Sequence, residues 1–266
     1  MNKTRVVMYL SIFILLFSLY NILEFFYDRF QTKQLYSSVQ EEFVTSNRVN
    51  DLPLVKGISR GKTGVALMNH YGITAPTEED PIINEKFLPL IERNTDTVGW
   101  ISVPNTDIDY PVVKTDNNHF YLEHDFDKEP SRAGSIFMDY RNDGDTSDRH
   151  TIIYGHNMRD GTMFQQLAYY KEEDFFHDNL TITFHSLYDE TEWEIFSAYV
   201  TTTDFYYIVT SFRSNRDYMD FLHELMGKSA FSTDVELTEH DQILTLSTCT
   251  YEFNDARYVV HARKIK

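Results

Sequence analysis

Eight short stretches rich in β-branched and aromatic residues run from about residue 99 to the C-terminus of this chain. Turn-forming residues separate them, as expected of successive strands. Many short strands of this kind favour a barrel or a sandwich, so the sequence predicts a mainly β fold. The predicted strands span residues 99–103, 108–113, 135–139, 150–154, 180–184, 192–203, 242–248 and 257–265.

One helix interrupts the predicted strands. Ser214 followed by Asp217 is a capping pattern typical of a helix start, and Gly227 is a typical helix end. The apolar residues between them recur at helical spacing and predict one buried face. These residues are Tyr218, Phe221, Leu222 and Leu225. A shorter helix is predicted over residues 82–93, ahead of the first strand.

The N-terminal segment predicts a membrane anchor. Lys3 and Arg5 precede an apolar run over residues 6–23, which is close to the roughly 20 residues that a membrane-spanning helix needs. A cleaved signal peptide is the alternative, but no small-residue cleavage site follows the run. By the positive-inside rule, the N-terminus lies in the cytoplasm and the remaining chain lies outside the cell membrane.

The chain is predicted to consist of three parts. Residues 1–27 form the cytoplasmic N-terminus and the membrane anchor, residues 28–80 form a partly helical extracytoplasmic stalk or linker, and residues 81–266 form the folded domain. Spaced apolar residues over 28–50 are typical of a helix. Several Gly and Pro residues over 51–80 predict an irregular linker.

Composition excludes several classes of function. With 24 Lys and Arg against 41 Asp and Glu, the formal net charge is −17, which argues against a nucleic-acid partner because phosphate binding depends on clustered basic residues. Cys249 is the sole cysteine, so neither an intrachain disulfide nor a cysteine-based zinc cluster can form. One thiol outside the membrane is typical of a bacterial surface protein.

Two local segments resemble ligand-binding motifs but lack residues that those motifs need. Residues 57–63 resemble a phosphate-binding loop but are one residue short and follow no strand, which indicates a flexible linker. The acidic run 139–148 resembles a calcium-binding loop, but Arg141 and His150 occupy ligand positions that need acidic residues. The run is therefore predicted to be a solvated loop. The sequence therefore predicts no metal and no cofactor.

Cys249 and Arg257 form one candidate catalytic pair. Cys249 ends a predicted strand, and Arg257 begins the next one after a short loop. Strands joined so closely are normally antiparallel neighbours, which brings the two residues together. A cysteine beside a guanidinium is a candidate low-pKa thiolate, although a buried inert cysteine is an equally good interpretation of the local pattern.

His156 is a candidate partner for this pair. It follows an apolar strand and Gly155, so it also falls at a strand end. The chain has ten histidines, and sequence spacing alone cannot choose among them.

Several motifs, taken together and in order, resemble class B sortases. The similarity is dense from about residue 96 to the C-terminus, and little of it falls within residues 28–80. The motifs are VGWISVPNTDIDYPVV (98–113), NNHFYLEHDF (117–126), GSIFMDYRND (134–143), TIIYGHNMRDGTMF (151–164), FSAYVTTTDFYYI (196–208), TLSTC (245–249) and ARYVVHARKIK (256–266).

The resemblance implies a membrane-anchored cysteine transpeptidase. Its fold would be an eight-stranded sortase-type β-barrel with N-terminal helices and one helix inserted between late strands. Such an enzyme cleaves a C-terminal sorting motif of secreted proteins at a Thr–Gly or Thr–Asn type bond through a thioacyl-enzyme. It then transfers the acyl group to an amine on a peptidoglycan precursor or a pilin.

The resemblance also assigns roles to individual residues. Cys249 corresponds to the nucleophile, His156 to the general acid/base and Arg257 to the donor that stabilises the oxyanion. Seven further residues match positions that line the substrate groove of class B members: Ser247, Thr203, Tyr207, Ile208, Asn118, Leu122 and Tyr154.

Two alternatives remain beside the transpeptidase. A cell-surface cysteine peptidase that only hydrolyses its substrate would use the same residues. A non-enzymatic adhesin or scaffold on a degenerate sortase fold would leave Cys249 inert.

Overall fold

The computed structural model describes residues 3–50, 82–250 and 255–265. The glycine-containing motif at 57–63, the predicted linker over 51–80 and the predicted boundary between residues 80 and 81 lie outside these ranges.

A closed barrel of eight strands forms the body of the protein. All eight strands coincide with stretches predicted from the sequence, with ends that differ by at most two residues. They are β1 (Thr97–Ser102), β2 (Asp109–Val113), β3 (Ile136–Met138), β4 (His150–Tyr154), β5 (Thr181–Ser186), β6 (Glu190–Thr201), β7 (Ile243–Cys249) and β8 (Arg257–Lys264).

The order of strands around the barrel is β1-β2-β3-β4-β7-β8-β6-β5, and β5 closes it by pairing with β1. Most pairs are antiparallel, but β2–β3 and β4–β7 are parallel. Because parallel strands end at the same edge of a sheet, the C-terminal ends of β4 and β7 lie side by side. The predicted mainly β barrel is therefore confirmed.

Within the described residues, four helices accompany the barrel: α1 (Lys3–Asn50), α2 (Leu88–Arg93), α3 (Glu173–Asp178) and α4 (Asn215–Gly227). The same residues include three 3₁₀ helices: Glu85–Phe87, Phe120–Leu122 and Gln165–Lys171. The predicted α4 is confirmed in detail. The Ser214 side chain accepts a hydrogen bond from the Asp217 backbone N–H at 3.1 Å, and the four predicted apolar residues of α4 are buried.

The second half of α1 packs against the barrel. Tyr36, Val39 and Phe43 are buried, at the spacing of one helical face. The Phe43 ring stacks on Trp100 with centroids 4.1 Å apart, and the Tyr36 hydroxyl donates to the Gly134 carbonyl at 2.9 Å. Because these contacts join distant parts of the sequence, this half of α1 belongs to the folded body.

The first half of α1 is apolar and exposed. By length and composition it is able to cross a membrane, and none of its most apolar window is buried by the described residues. Phe13, Leu16 and Phe17, for example, are each more than half exposed. An apolar helix surface that none of the described residues covers is suited to lipid.

Candidate active site

Strand pairing brings Cys249, His156 and Arg257 to one edge of the barrel. In the parallel β4–β7 pair, Tyr154 lies opposite Ser247, and the Gly155 N–H donates to the Ser247 carbonyl at 3.2 Å. His156 and Cys249 each follow two residues after a member of that pair. In the antiparallel β7–β8 pair, Cys249 lies directly opposite Arg257, as the short loop predicted.

Gly155 is required where the chain turns from β4 to His156. A Cβ atom at this position would collide with the side chains of Ile136 and Phe164. Glycine therefore lets the backbone approach the core closely and places the next residue at the strand end. The Asn157 side chain then donates to the Cys249 carbonyl at 2.8 Å, which ties the two strand ends together.

One hydrogen bond fixes the orientation of the His156 ring. Its Nε2 lies 2.7 Å from the Leu122 carbonyl oxygen. Because a carbonyl can only accept, Nε2 must carry the proton, and Nδ1 is the basic nitrogen of the neutral ring. A ring held in this way can take up a proton at Nδ1 without rotating.

A cavity of about 460 Å³, the main cavity, opens beside these three side chains. All ten residues predicted for the site line it, including the seven assigned to the substrate groove. Six other residues complete the lining: His119, Phe137, Gly155, Phe205, Tyr206 and Thr248. The walls are mostly apolar and aromatic with a few polar groups, which is typical of a ligand-binding pocket.

A buried carboxylate supports one wall of the main cavity. Asp139 is 0% exposed and accepts hydrogen bonds from the Asn118 side chain at 3.0 Å and from the Tyr154 hydroxyl at 2.8 Å. It forms a two-pronged ion pair with Arg141, whose Nε and Nη2 donate to it at 2.7 and 2.8 Å. Arg141 Nη1 also donates to the Tyr206 hydroxyl at 3.0 Å. We call Asp139, Arg141, Asn118 and Tyr154 the charged cluster.

Opposing effects act on the pKa of Asp139. Burial disfavours the carboxylate, but the hydrogen bonds from Arg141, Tyr154 and Asn118 outweigh burial and lower the pKa below its ordinary value. Asp139 is therefore ionised and fully hydrogen-bonded. The same burial, together with the Asp139 charge, raises the pKa of Tyr154, whose hydroxyl keeps its proton and donates it.

A second buried group ties another part of the cavity wall, the segment after β6, to the barrel. His150, Thr245, His261 and Tyr199, which we call the neutral cluster, form a chain of hydrogen bonds of 2.6 to 3.0 Å across four strands. His150 Nδ1 donates to the Val209 carbonyl at 2.6 Å. Val209 belongs to the segment between β6 and α4 that also carries Thr203, Tyr207 and Ile208.

The proton positions of the neutral cluster follow from its first bond. Since His150 Nδ1 donates to a carbonyl, its Nε2 accepts from the Thr245 hydroxyl in the neutral ring. Thr245 then accepts from His261 Nδ1, and His261 Nε2 accepts from the Tyr199 hydroxyl. Burial lowers the pKa of His150 to about 4 and lowers that of His261 well below its ordinary value, so both rings are neutral.

Tyr207 and Ser247 link the wall to the strand that carries Cys249. Their hydroxyl oxygens lie 2.8 Å apart. Burial raises the pKa of Tyr207, while the Ser247 hydrogen bond and the positive charge of Arg257 oppose that shift. The charge of Arg257 therefore acts within the main cavity.

The charged cluster as a unit was not predicted from the sequence. The prediction that residues 139–148 form a solvated loop is wrong at Asp139 and Asn142, which are 0% and 1% exposed. A carboxylate that directly follows a buried apolar strand, with an arginine two residues later, was the available signal. Within the described ranges, no group of three or more His, Cys, Asp or Glu side chains is arranged to hold a metal ion.

Known proteins share both the sequence and the fold. Residues 101–265 match the sortase domain family. Sortase B of Listeria monocytogenes is 40% identical over 193 residues, which cover 72% of this chain and 78% of that protein. Sortase B from Bacillus anthracis in complex with AAEK1 matches with a TM-score of 0.73 and 35% identity, over 91% of this chain and 99% of that chain. A Staphylococcus aureus sortase B–substrate complex matches with a TM-score of 0.72 and 35% identity, over 90% and 98%.

Proposed function

Because the chain belongs to class B of the sortase family, whose members are cysteine transpeptidases that act on sorting motifs, we propose that Cys249, His156 and Arg257 carry the reaction. The observation behind this proposal is their convergence. The β4–β7 and β7–β8 pairings bring the sole cysteine, an oriented imidazole and a guanidinium to the rim of one cavity. These are the groups that acyl transfer through a thioester needs.

The first half-reaction cleaves the substrate. The Cys249 thiolate attacks the Thr carbonyl carbon of a Thr–Gly or Thr–Asn type bond in the sorting motif of a secreted protein. When the tetrahedral intermediate collapses, the C–N bond breaks and protonated His156 gives a proton to the departing amine. A thioacyl-enzyme remains. Arg257, which keeps its charge throughout, stabilises the oxyanion.

The second half-reaction transfers the acyl group. An amine on a peptidoglycan precursor or a pilin attacks the thioester carbonyl, and His156 accepts the proton that this amine loses. The C–S bond breaks and Cys249 returns to the thiolate. The seven other predicted residues of the main cavity hold the sorting motif during both steps, and the apolar walls restrict water.

Kinetics and mass spectrometry of the full chain in detergent test this proposal. With a peptide that contains a Thr–Asn or Thr–Gly sorting bond and glycinamide as the amine, the native protein gives a transfer product. Rapid quenching traps an acyl group on the peptide fragment that carries Cys249. Cys249→Ala and the nearly isosteric Cys249→Ser give neither product nor adduct.

Two results would contradict the proposal. Turnover that persists in Cys249→Ala would exclude the thioester. Cleavage with no amine-dependent product at any amine concentration would favour the hydrolytic peptidase instead.

We also propose that α1 anchors the enzyme in the cell membrane, with the N-terminus in the cytoplasm and the barrel outside. The exposed apolar half of α1 and the preceding Lys3 and Arg5 support this topology. Replacing Leu15 and Leu16 with lysine adds about 3–4 kcal/mol per residue to the cost of insertion. The variant should leave the membrane fraction after carbonate extraction, whereas the native chain should stay. Native chain in the soluble fraction would contradict the anchor.

A further inference from the structure

A second cavity, of about 910 Å³, adjoins the main cavity. The two share Leu122 and His156 as lining residues, so the imidazole lies in the wall between them. On its other side the second cavity is lined by α1 residues, including Asp28 and Gln31. His156 is thus reachable from two separate spaces.

The two cavities differ in charge. Three carboxylates line the second cavity, those of Asp28, Glu123 and Asp125. Its Arg132 lies 3.5 Å from Asp28 and offsets one of these charges, so the Lys, Arg, Asp and Glu side chains of the lining sum to −2. Among the described residues that line the main cavity, Arg257 is the sole Lys, Arg, Asp or Glu side chain. A cationic ligand is therefore attracted to the second cavity and repelled from the main one.

We propose that the second cavity binds the amine acceptor as a peptide-borne primary ammonium. This inference rests on the proposed function and adds to it the place from which the acceptor arrives. During transfer the acyl chain fills the main cavity and is held by its thioester to Cys249. The incoming nitrogen must then reach both the thioester carbon and the imidazole that takes its proton. The second cavity gives access to His156 while the main cavity is occupied.

The carboxylates and the imidazole have separate tasks in this step. Asp28, on α1, and Glu123, next to Leu122, concentrate the ammonium form in the second cavity. The attacking amine must be neutral, so its proton passes to His156 at the inner wall. The Leu122 carbonyl keeps that ring in place. Binding as a cation and loss of the proton to His156 thus take place in the same cavity.

Comparing a charged and an uncharged amine distinguishes loss of an ammonium-binding site from a general loss of enzyme activity. Glycinamide carries an ammonium group near neutral pH, whereas hydroxylamine is uncharged there. Transfer by the full chain in detergent is measured against each amine at saturating sorting peptide. The variant is Asp28→Asn/Glu123→Gln, which keeps shape and removes two charges. The control is Glu41→Gln, an exposed carboxylate on α1 that lines neither cavity.

In the double variant we expect the apparent KM for glycinamide to rise about two- to tenfold, as two partly exposed charges are lost. The KM for hydroxylamine should change less than twofold, and added salt should reduce the native preference for glycinamide. Glu41→Gln should leave both values unchanged.

An unchanged KM for glycinamide in the double variant, or an equal rise for both amines, would overturn the second cavity as the ammonium site. Native enzyme that gives no amine product with either reagent would instead overturn the proposed function, and this inference with it.

Discussion

The charged cluster and the neutral cluster both support walls of the main cavity, yet they are stabilised in different ways. Asp139 is buried as an anion because a guanidinium and two further donors satisfy it. His150 and His261 are buried as neutral rings because each ring nitrogen has one partner of the right kind. Both solutions avoid an unpaired polar group in the core.

The two clusters hold the walls of the main cavity without filling the cavity itself. The charged cluster fixes Asn118 and Tyr154, which line the main cavity. The neutral cluster fixes the segment after β6 through one carbonyl, that of Val209. Loss of either cluster should loosen one wall, so both are expected to affect KM for the sorting peptide more than the chemistry at Cys249.

Replacing Asp139 with asparagine should have the largest effect. The Asn amino group would face the donors of Arg141, and the ion pair would be lost. Breaking a buried pair by changing one partner costs about 3–5 kcal/mol. We expect a loss of this size in the free energy of unfolding, measured by urea denaturation, and a raised KM for the sorting peptide.

A second variant separates stability from positioning. Asp139→Asn/Arg141→Met also removes the charge that the single variant leaves unpaired, so much of the stability should return. The KM should stay raised because Asn118 and Tyr154 still lack their ionised acceptor. A KM that recovers together with stability would show that Asp139 has no role in positioning the cavity wall.

Acid should weaken the neutral cluster first. The pKa of His150 is about 4 in the folded state against an ordinary value of 6.5, so the unfolded chain binds more protons between these values and stability falls as pH falls. For His150 the full loss from pH 6.5 to pH 4 is about 3 kcal/mol, and His261 acts in the same direction. Urea denaturation at pH 7 and pH 5 measures how steeply the free energy of unfolding falls with falling pH, which we call the pH slope.

Variants in the two clusters should differ in the pH slope of the free energy of unfolding. His150→Gln should reduce this slope between pH 5 and pH 7. Asp139→Asn should leave it unchanged in that range, because the lowered pKa of Asp139 places its titration below its ordinary value of 3.8. The stability that Asp139 contributes is present above that value and is lost at still lower pH. Equal slopes in native chain and His150→Gln would contradict the neutral-ring assignment.

The sequence predicted the strands well, because each is a local run of β-branched and aromatic residues whose ends carry turn residues. It could not predict the barrel order. The parallel β4–β7 pair joins segments that lie far apart in the chain, and no local pattern encodes that contact. The same limit applies to the site. The neighbourhood of Cys249 and Arg257 followed from a short loop, whereas His156 could be selected only through the family resemblance.

Polar residues were harder to place than apolar ones. Asp139 and Asn142 sit in a run of acidic and polar residues that is typical of a solvated loop, and their burial depends on partners from other segments. The docking of α1 is a similar case. Its apolar spacing predicted a helix, but the contact of Phe43 with Trp100 depends on the tertiary fold.

The smallest effect should come from a single hydroxyl in the neutral cluster. Thr245→Val keeps the side-chain shape but leaves His150 Nε2 without a donor and His261 Nδ1 without an acceptor. Leaving buried polar groups unsatisfied in this way costs about 1–3 kcal/mol.

Thr151→Val on β4 is the matched control, because the buried Thr151 hydroxyl has no hydrogen-bond partner in the part of the chain that the structure describes. Urea denaturation should show a loss in Thr245→Val and little change or a small gain in Thr151→Val. Equal losses would mean that the chain of hydrogen bonds contributes no more than side-chain packing.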